Sequence, residues 1–374
     1  MKKTSEPVLS TRALNRATMA RQMLLRRENV APVAAVERLV AMQAQLARPP
    51  FVGLWSRLEG FTRATAAGPI ARRDLVRATM MRGTIHLLSR RDFLAFRSVM
   101  APVLARGMES VLRDRTKGFD LDQVVAAARK CFGEKPRTFA ELRTHLAGLF
   151  PKADERAMGY TVRMHLPLVL TPDDEAQWAY SGAADFAVAD AWLGEPLATD
   201  AAPHALVLRY FAAYGPASVQ DFQSWSGLTA AREVVDALRP KLLVFRDDRG
   251  RELFDAPDAP RPDEDVDAPV RFLPEFDSVL LGYADRTRVM DAAHKPHIFT
   301  KNLLVPATFI VDGRIAGMWN IEFVKRQQTA MMVVRSFAAL GKDAKKALGA
   351  EADALIGFLE PDAKHRTVTF ERVT

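Results

Sequence analysis

The chain has 374 residues, with 53 Lys+Arg against 45 Asp+Glu and a formal charge of +8, a length that fits two or three packed units. At 48% hydrophobic and 26% charged residues it has enough apolar material for sizeable cores, which excludes a disordered protein. The single cysteine, Cys131, excludes an internal disulfide, an iron–sulfur cluster and a cysteine-rich zinc site, and fits a reducing compartment.

The opening Met1-Lys2-Lys3-Thr4-Ser5-Glu6 leads into no apolar run of a secretory signal, and no stretch of about 20 apolar residues offers a bilayer span. A cytoplasmic, nucleoid-associated protein with no membrane partner is expected. In the first part of the chain, apolar spacing of three and four predicts helices over residues 14–27, 32–43 and 72–80, followed by a strand-like run at 84–88. A second set repeats the order. Residues 121–132 read as a helix, Thr138-Phe139-Ala140-Glu141 as a capping box opening the next, and 154–165 as a third. Residues 168–170 and 177–180 then read as paired strands. A third set has helices at 205–214, from Ser218, and at 229–238, then strands at 242–245 and 252–254 around a charged turn.

Three helices and a β-hairpin make a winged helix, and the pattern recurs three times. The expected fold is therefore α+β and mainly helical. It has winged-helix units at 10–95, 119–185 and 201–255, a Pro- and Asp-rich linker at 256–270, and a small, mainly β C-terminal domain at 271–374. In that last domain residues 279–281, 307–311, 315–319 and 329–334 read as strands, with Asp312-Gly313 as a hairpin turn. A helix over 342–359 precedes a strand at 366–370.

The chain has no Gly-x-Gly-x-x-Gly, Walker loop or His-Glu-x-x-His, so neither a nucleotide cofactor nor a metal is expected. His294 and His297 have ligand-like spacing, but Pro296 breaks any helix between them, and a surface loop is the simpler reading. One segment stands out: Gln43-Ala44-Gln45, placed at the end of a helix and followed by Pro49-Pro50. In a helix, positions i and i+2 lie about 200° apart, so both amides reach one site only if the helix loosens there. By composition alone, such glutamines are solvated side chains.

Gln43-Ala44-Gln45, the run from Pro49 to Leu58, Met81-Arg82-Gly83-Thr84-Ile85-His86-Leu87, Ala284-Asp285-Arg286-Thr287-Arg288 and Val311 to Trp319 together resemble the winged-helix DNA glycosylases of the AlkZ-like family. The resemblance covers nearly the whole chain. It implies tandem winged-helix units around DNA, a Gln-aliphatic-Gln catalytic motif borne by Gln43 and Gln45, and activity on bulky or cross-linking lesions. A second, YcaQ-like branch carries Asp at the second polar position, so Gln45 places the chain with the first; Ala44 is smaller than the usual aliphatic residue.

The implied chemistry is coherent. Glycosidic hydrolysis ordinarily uses a general acid and a carboxylate, and the motif has neither. An N7-alkylated guanine already carries positive charge and leaves as a neutral base, so amides that place water are sufficient. The implied partner is double-stranded damaged DNA, bound by a monomer, with Arg48, Arg57, Arg82, His86, Arg286, Arg288, Lys325 and Arg326 as candidate DNA contacts. His86 reads equally as a packed side chain. The alternative is a non-catalytic winged-helix regulator, but regulators usually carry one such unit per protomer. With no cofactor expected, excision should persist in excess chelator without ATP; a strict divalent-ion requirement, restored by adding the ion back, would contradict this reading.

Overall fold

The computed structural model describes residues 6–300 and 304–373. Residues 1–5, where the leader was sought, lie outside the described residues. Strand β1 (Val8–Leu9) and helix α1 (Thr11–Arg21) open the chain. Then come α2 (Pro32–Arg38), β2 (Met42–Gln43), α3 (Arg48–Arg57), α4 (Arg63–Ala71), β3 (Leu75–Thr79) and β4 (Ile85–Ser89). The 23-residue helix α5 (Arg90–Leu112), unanticipated from sequence, follows. Next are α6 (Leu121–Glu134), α7 (Phe139–Leu149), α8 (Glu155–His165), β5 (Leu168–Leu170), β6 (Phe186–Val188) and the short α9 (Ala189–Leu193). The third set is α10 (His204–Tyr214), α11 (Val219–Ser226), α12 (Ala231–Leu238), β7 (Leu243–Asp247) and β8 (Glu252–Asp255).

One order, helix, extended residue, helix, helix, strand, strand, thus occurs three times. In each set the extended residue pairs with the last strand: Gln43 with His86, Arg137 with Phe186 and Ala217 with Phe254. The second and third sets start where local chemistry says they should. Thr138 and Glu141 form the expected capping box at α7, and Ser218 and Asp221 form another at α11.

The first set differs from expectation by one element. Helix α1 stands outside the repeat, and the segment expected as a third helix contains strand β3, whose five residues are all buried between two packed faces. The helix expected over 32–43 ends at Arg38; Val40 takes φ 67, a costly conformation for a β-branched residue, and turns the chain into β2. Residues 177–180 are not a strand, since β5 pairs with β6 instead. The run at 279–281 lies in a short helix.

Strands β2-β4-β3-β5-β6 form one sheet, so the first two repeats share it. Its two faces carry different cores. Ala78, Val169 and Ala187 join α5 and α10 on one face, while Met42, Ala44, Leu87 and Leu170 join Phe51, Val124 and Leu142 on the other. β1 pairs in parallel with β7, tying the N-terminal segment to the third repeat.

The C-terminal part comprises β9 (Arg271–Leu273), α13 (Ser278–Leu281), α14 (Lys295–Ile298), β10 (Thr308–Val311), β11 (Arg314–Val324), β12 (Thr329–Ser336), α15 (Lys342–Leu359) and β13 (His365–Arg372). Its sheet order is β13-β12-β11-β10-β9, and α15 covers one face through Leu348, Leu355 and Ile356 against Phe272, Trp319 and Val334. Asp312 and Gly313 take φ 48 and 75, the paired positive φ of a tight hairpin turn. Among the described residues no helix is long and apolar enough to cross a membrane.

Helix α1 binds these parts together. Asn15 Nδ2 donates to the carbonyls of Arg288 and Gly313 at 2.9 and 2.7 Å, and Arg16 Nε donates to Val266 O at 2.6 Å. The linker segment is therefore strapped across the helix rather than loose. Arg21 is buried and grips Asp255 with both nitrogens at 2.5 and 2.9 Å. Asp255→Ala leaves that cation buried without its anion, which should cost about 3–5 kcal/mol of unfolding free energy in urea, whereas the apolar pair Arg21→Met with Asp255→Leu loses much less. Equal losses in the two proteins would contradict this account.

Candidate functional site

Gln43 and Gln45 lie on an edge strand and the bend that follows it, not at a helix end. In extended chain, side chains alternate. Ala44 points into the core beneath the sheet, while Gln43 is half-buried and Gln45 exposed. Ala44 N–H donates to Ile85 O at 2.7 Å. The return rung is altered: Ile85 N–H donates to the side-chain Oε1 of Gln45 at 3.3 Å. The Ala44 carbonyl instead accepts from Arg77 Nε at 2.8 Å, and Arg77 Nη2 reaches Gln45 O at 3.1 Å. Arg77 reaches the motif from β3 across β4, and burial lowers its pKa.

Arg82, in the turn between β3 and β4, donates through Nη2 to Gln43 Oε1 at 2.9 Å and through Nη1 to Trp225 O. Arginine only donates, so this contact fixes which end of the Gln43 amide faces it. The backbone N–H of Ile85 does the same for Gln45. Each carbonyl oxygen keeps one lone pair free of these protein donors, and each amide NH2 is turned away from the donor that holds its oxygen.

The two glutamines open onto different cavities. Gln43 borders one of about 370 Å³ with Arg82, Thr84, Ser224, Phe276 and Arg286. Gln45 borders one of about 410 Å³ with Arg77, Thr138, Phe139, Arg163 and Tyr180. Arg286 Nε donates to Leu280 O at 2.6 Å and its guanidinium lies 4.5 Å from the Phe299 ring centre. Burial pulls Arg82 down to about 10, and the like charge of Arg286 adds to the effect. Arg77 and Arg163 were not anticipated. The signal for Arg77 was an arginine inside the otherwise apolar run of β3; Arg163 gave none.

His86 pairs with Gln43 across the sheet but is buried. Its Nδ1 lies 3.0 Å from the Thr84 carbonyl, which only accepts, so that nitrogen carries the proton. A DNA contact is ruled out by burial. Two other expected contacts are corrected for the same reason. Arg57 is fully buried in a two-bond ion pair with Asp277 at 2.9 and 3.0 Å. Arg288 is buried, donates to Pro216 O at 2.8 Å and lies 4.4 Å from the Tyr283 ring centre. Arg48 is half-buried and paired with Glu275 at 2.5 Å. Lys325 and Arg326 are exposed at the tip between β11 and β12, apart from the residues lining either cavity. His294 and His297 lie against Phe337; among the described residues no group of three or more His, Cys, Asp or Glu is placed to hold a metal ion.

The structure matches the Streptomyces sahachiroi DNA glycosylase AlkZ with a TM-score of 0.77 over 97% of this chain and 100% of that one, at 21% identity, a likeness of fold. The family model described as DNA glycosylase AlkZ-like matches residues 36–358, and the chain belongs to that family. It is similar also to the interstrand DNA cross-link repair glycosylase of Streptomyces sahachiroi, 25% identical over 325 residues that cover 81% of this chain and 85% of the relative. Family membership makes the chain an enzyme and sets aside the reading as a non-catalytic regulator.

Burial, then the charge of Arg82, pushes His86 down from 6.5 to about 3. Below pH about 6.5 the unfolded chain takes up a proton at this position and the folded chain does not, so stability falls as pH falls, by up to about 1.4 kcal/mol per unit. Relative to a His86→Gln variant, the protein should therefore lose about 2 kcal/mol of unfolding free energy between pH 6.5 and 5. A difference that does not vary with pH would contradict the buried, neutral imidazole.

Proposed function

We propose that the chain is a monofunctional DNA glycosylase that hydrolyses the N-glycosidic bond of N7-alkylguanine lesions, including bulky adducts and interstrand cross-links. In this reading it acts as a monomer on double-stranded DNA, without a metal or nucleotide cofactor. The three repeats, spanning residues 32–89, 121–188 and 204–255, are three winged-helix units, joined through the 256–270 strap to a C-terminal domain at 271–374. The cross-link activity named for the relative supports the lesion class.

The observation that carries the proposal is the fixed orientation of the two amides. Gln43 and Gln45 have their carbonyl oxygens engaged by Arg82 and the Ile85 N–H. Such preset donors and acceptors need little reorganisation as charge develops. As the bond to a cationic N7-alkylguanine breaks, the base departs neutral and the sugar acquires oxocarbenium character. The remaining lone pair of each glutamine carbonyl accepts from the attacking water, which releases its proton to solvent as the bond to C1′ forms, and the amide N–H groups donate to sugar or phosphate oxygens. No general acid is needed, because the leaving group is charged before the reaction starts. His86, buried and neutral, stays outside the proton balance. A neutral lesion lacks the stored charge and is a poor substrate.

Gln43→Ala and Gln45→Ala should each lower single-turnover excision of N7-methylguanine by at least about tenfold, roughly 1.4 kcal/mol in the barrier, with little change in DNA affinity. Bulky N7 adducts and an N7–N7 cross-link should react within about tenfold of N7-methylguanine, and hypoxanthine should be ignored. Unchanged rates in both variants, or rapid hypoxanthine release, would overturn the site and its chemistry.

A further inference from the structure

The arginines beside the glutamines divide into two kinds. Arg82 and Arg77 hold the motif itself, one by the Gln43 side chain and the other by the Ala44 and Gln45 backbone. Arg286 and Arg163 hold nothing of the motif and line the two cavities. Neither forms an ion pair with a carboxylate among the described residues, although most of the chain's partly buried arginines do. Arg163 lies half-buried with its guanidinium 4.5 Å from the Phe139 ring centre. The nearest acids to Arg286 are already committed. Asp221 closes the capping box of α11 by accepting the Ser218 backbone N–H and also accepts those of Ala284 and Asp285, and Asp285 pairs with Arg251 at 2.6 Å.

Each cavity therefore combines two arginines without a carboxylate partner, a hydroxyl side chain and an aromatic wall. Thr84, Ser224 and Phe276 complete the first, and Thr138, Phe139 and Tyr180 the second. Buried cations left without an anion are unfavourable. Burial lowers both Arg286 and Arg163; the charges of Asp221 and Asp285 offset part of this at Arg286, and the like charge of Arg143 adds to it at Arg163. Arg286 also donates to the carbonyls of Leu280 and Ala284, but it lines a cavity, whereas Arg97 and Arg288, likewise without acids and held by carbonyls, border neither space. The features shared by the two cavities are those of a site for a single anion attached to an apolar body, as in a phosphodiester with its deoxyribose.

We propose that the two cavities are phosphodiester seats, Arg286 gripping the phosphate on one side of the lesion nucleotide and Arg163 the phosphate on the other. The proposal deepens the glycosylase reading and rests on it. Gln43 borders one cavity and Gln45 the other, so a sugar between the two seated phosphates would lie at the glutamine pair. The enzyme then holds the lesion by its backbone and leaves the modified base outside both cavities, whatever its size or attachment to the opposite strand.

The test uses the full-length protein and duplexes carrying N7-methylguanine with one neutral methylphosphonate linkage on the 5′ or 3′ side of the lesion, with Arg286→Gln and Arg163→Gln as variants. Single-turnover excision and Kd are both measured. Each methylphosphonate should slow the unaltered protein by about tenfold or more. Each variant should be insensitive to one of the two replacements and remain sensitive to the other, and its log Kd against log salt slope should fall by about 0.9. Inorganic phosphate at millimolar concentration should not inhibit excision or weaken Kd beyond its effect as salt, which separates a backbone seat from a free-anion site. Full sensitivity of both variants to both replacements, or indifference of the unaltered protein to either, would overturn the assignment. If excision is absent altogether, the glycosylase reading fails, while the pattern in Kd still decides the seats.

Discussion

The site depends on a two-residue strand at the edge of a sheet. Met42 and Gln43 pair with Leu87 and His86, and the ladder then yields. Ala44 gives its N–H to Ile85 and its carbonyl to Arg77, and Gln45 supplies a side-chain oxygen where a backbone one would ordinarily stand. Edge strands present unpaired backbone groups and are usually protected. Here a buried arginine and a glutamine amide do so, and the contact that closes the edge at Ile85 also orients the Gln45 side chain.

The remainder of the fold serves to keep that edge in place and to build what faces it. The cavity beside Gln43 draws Arg82 and Thr84 from the first repeat, Ser224 from the third, and Phe276 and Arg286 from the C-terminal part. No single repeat could form it. The buried Arg57–Asp277 pair pins α3 to the start of α13, and Ser56 Oγ donates to Phe272 O at 2.5 Å, so the C-terminal sheet is registered against the helix that directly follows the glutamine motif. Helix α1 adds the third repeat through Arg21, the strap through Arg16 and the C-terminal part through Asn15. Displacing any of these contacts alters the space in front of Gln43 without touching Gln43 itself.

Much of this architecture could be read from the chain because its local signals are strong. The capping boxes at Thr138 and Ser218 set the starts of α7 and α11, Asp312-Gly313 marked a hairpin, and α15 followed from its periodicity alone. The first repeat was displaced by one element because α1 carries the same apolar spacing as a repeat helix. β3 was read as helical because it is buried on both faces and lacks clean alternation. The glutamine motif was located by its residues, yet its backbone was misjudged; an apparent 200° conflict between two helical amides vanishes once the segment is extended. Misplaced arginines share another cause. Arg57 finds its carboxylate 220 positions away, and no local pattern distinguishes such a buried cation from a surface one. Arg77 and Arg163 acquire their roles only through tertiary neighbours.

The central claim is that Gln43 and Gln45, oriented by Arg82 and Ile85, act at the sugar while the base remains outside. A crystal structure with a duplex carrying a cationic 1-aza-deoxyribose sugar mimic, together with free N7-methylguanine, tests it most directly. The account predicts the mimic's ring within one water molecule of both glutamine amides, the flanking phosphates on Arg286 and Arg163, and no base in either cavity. A base seated beside Gln43 or Gln45, with the sugar ring out of reach of both amides, would contradict it.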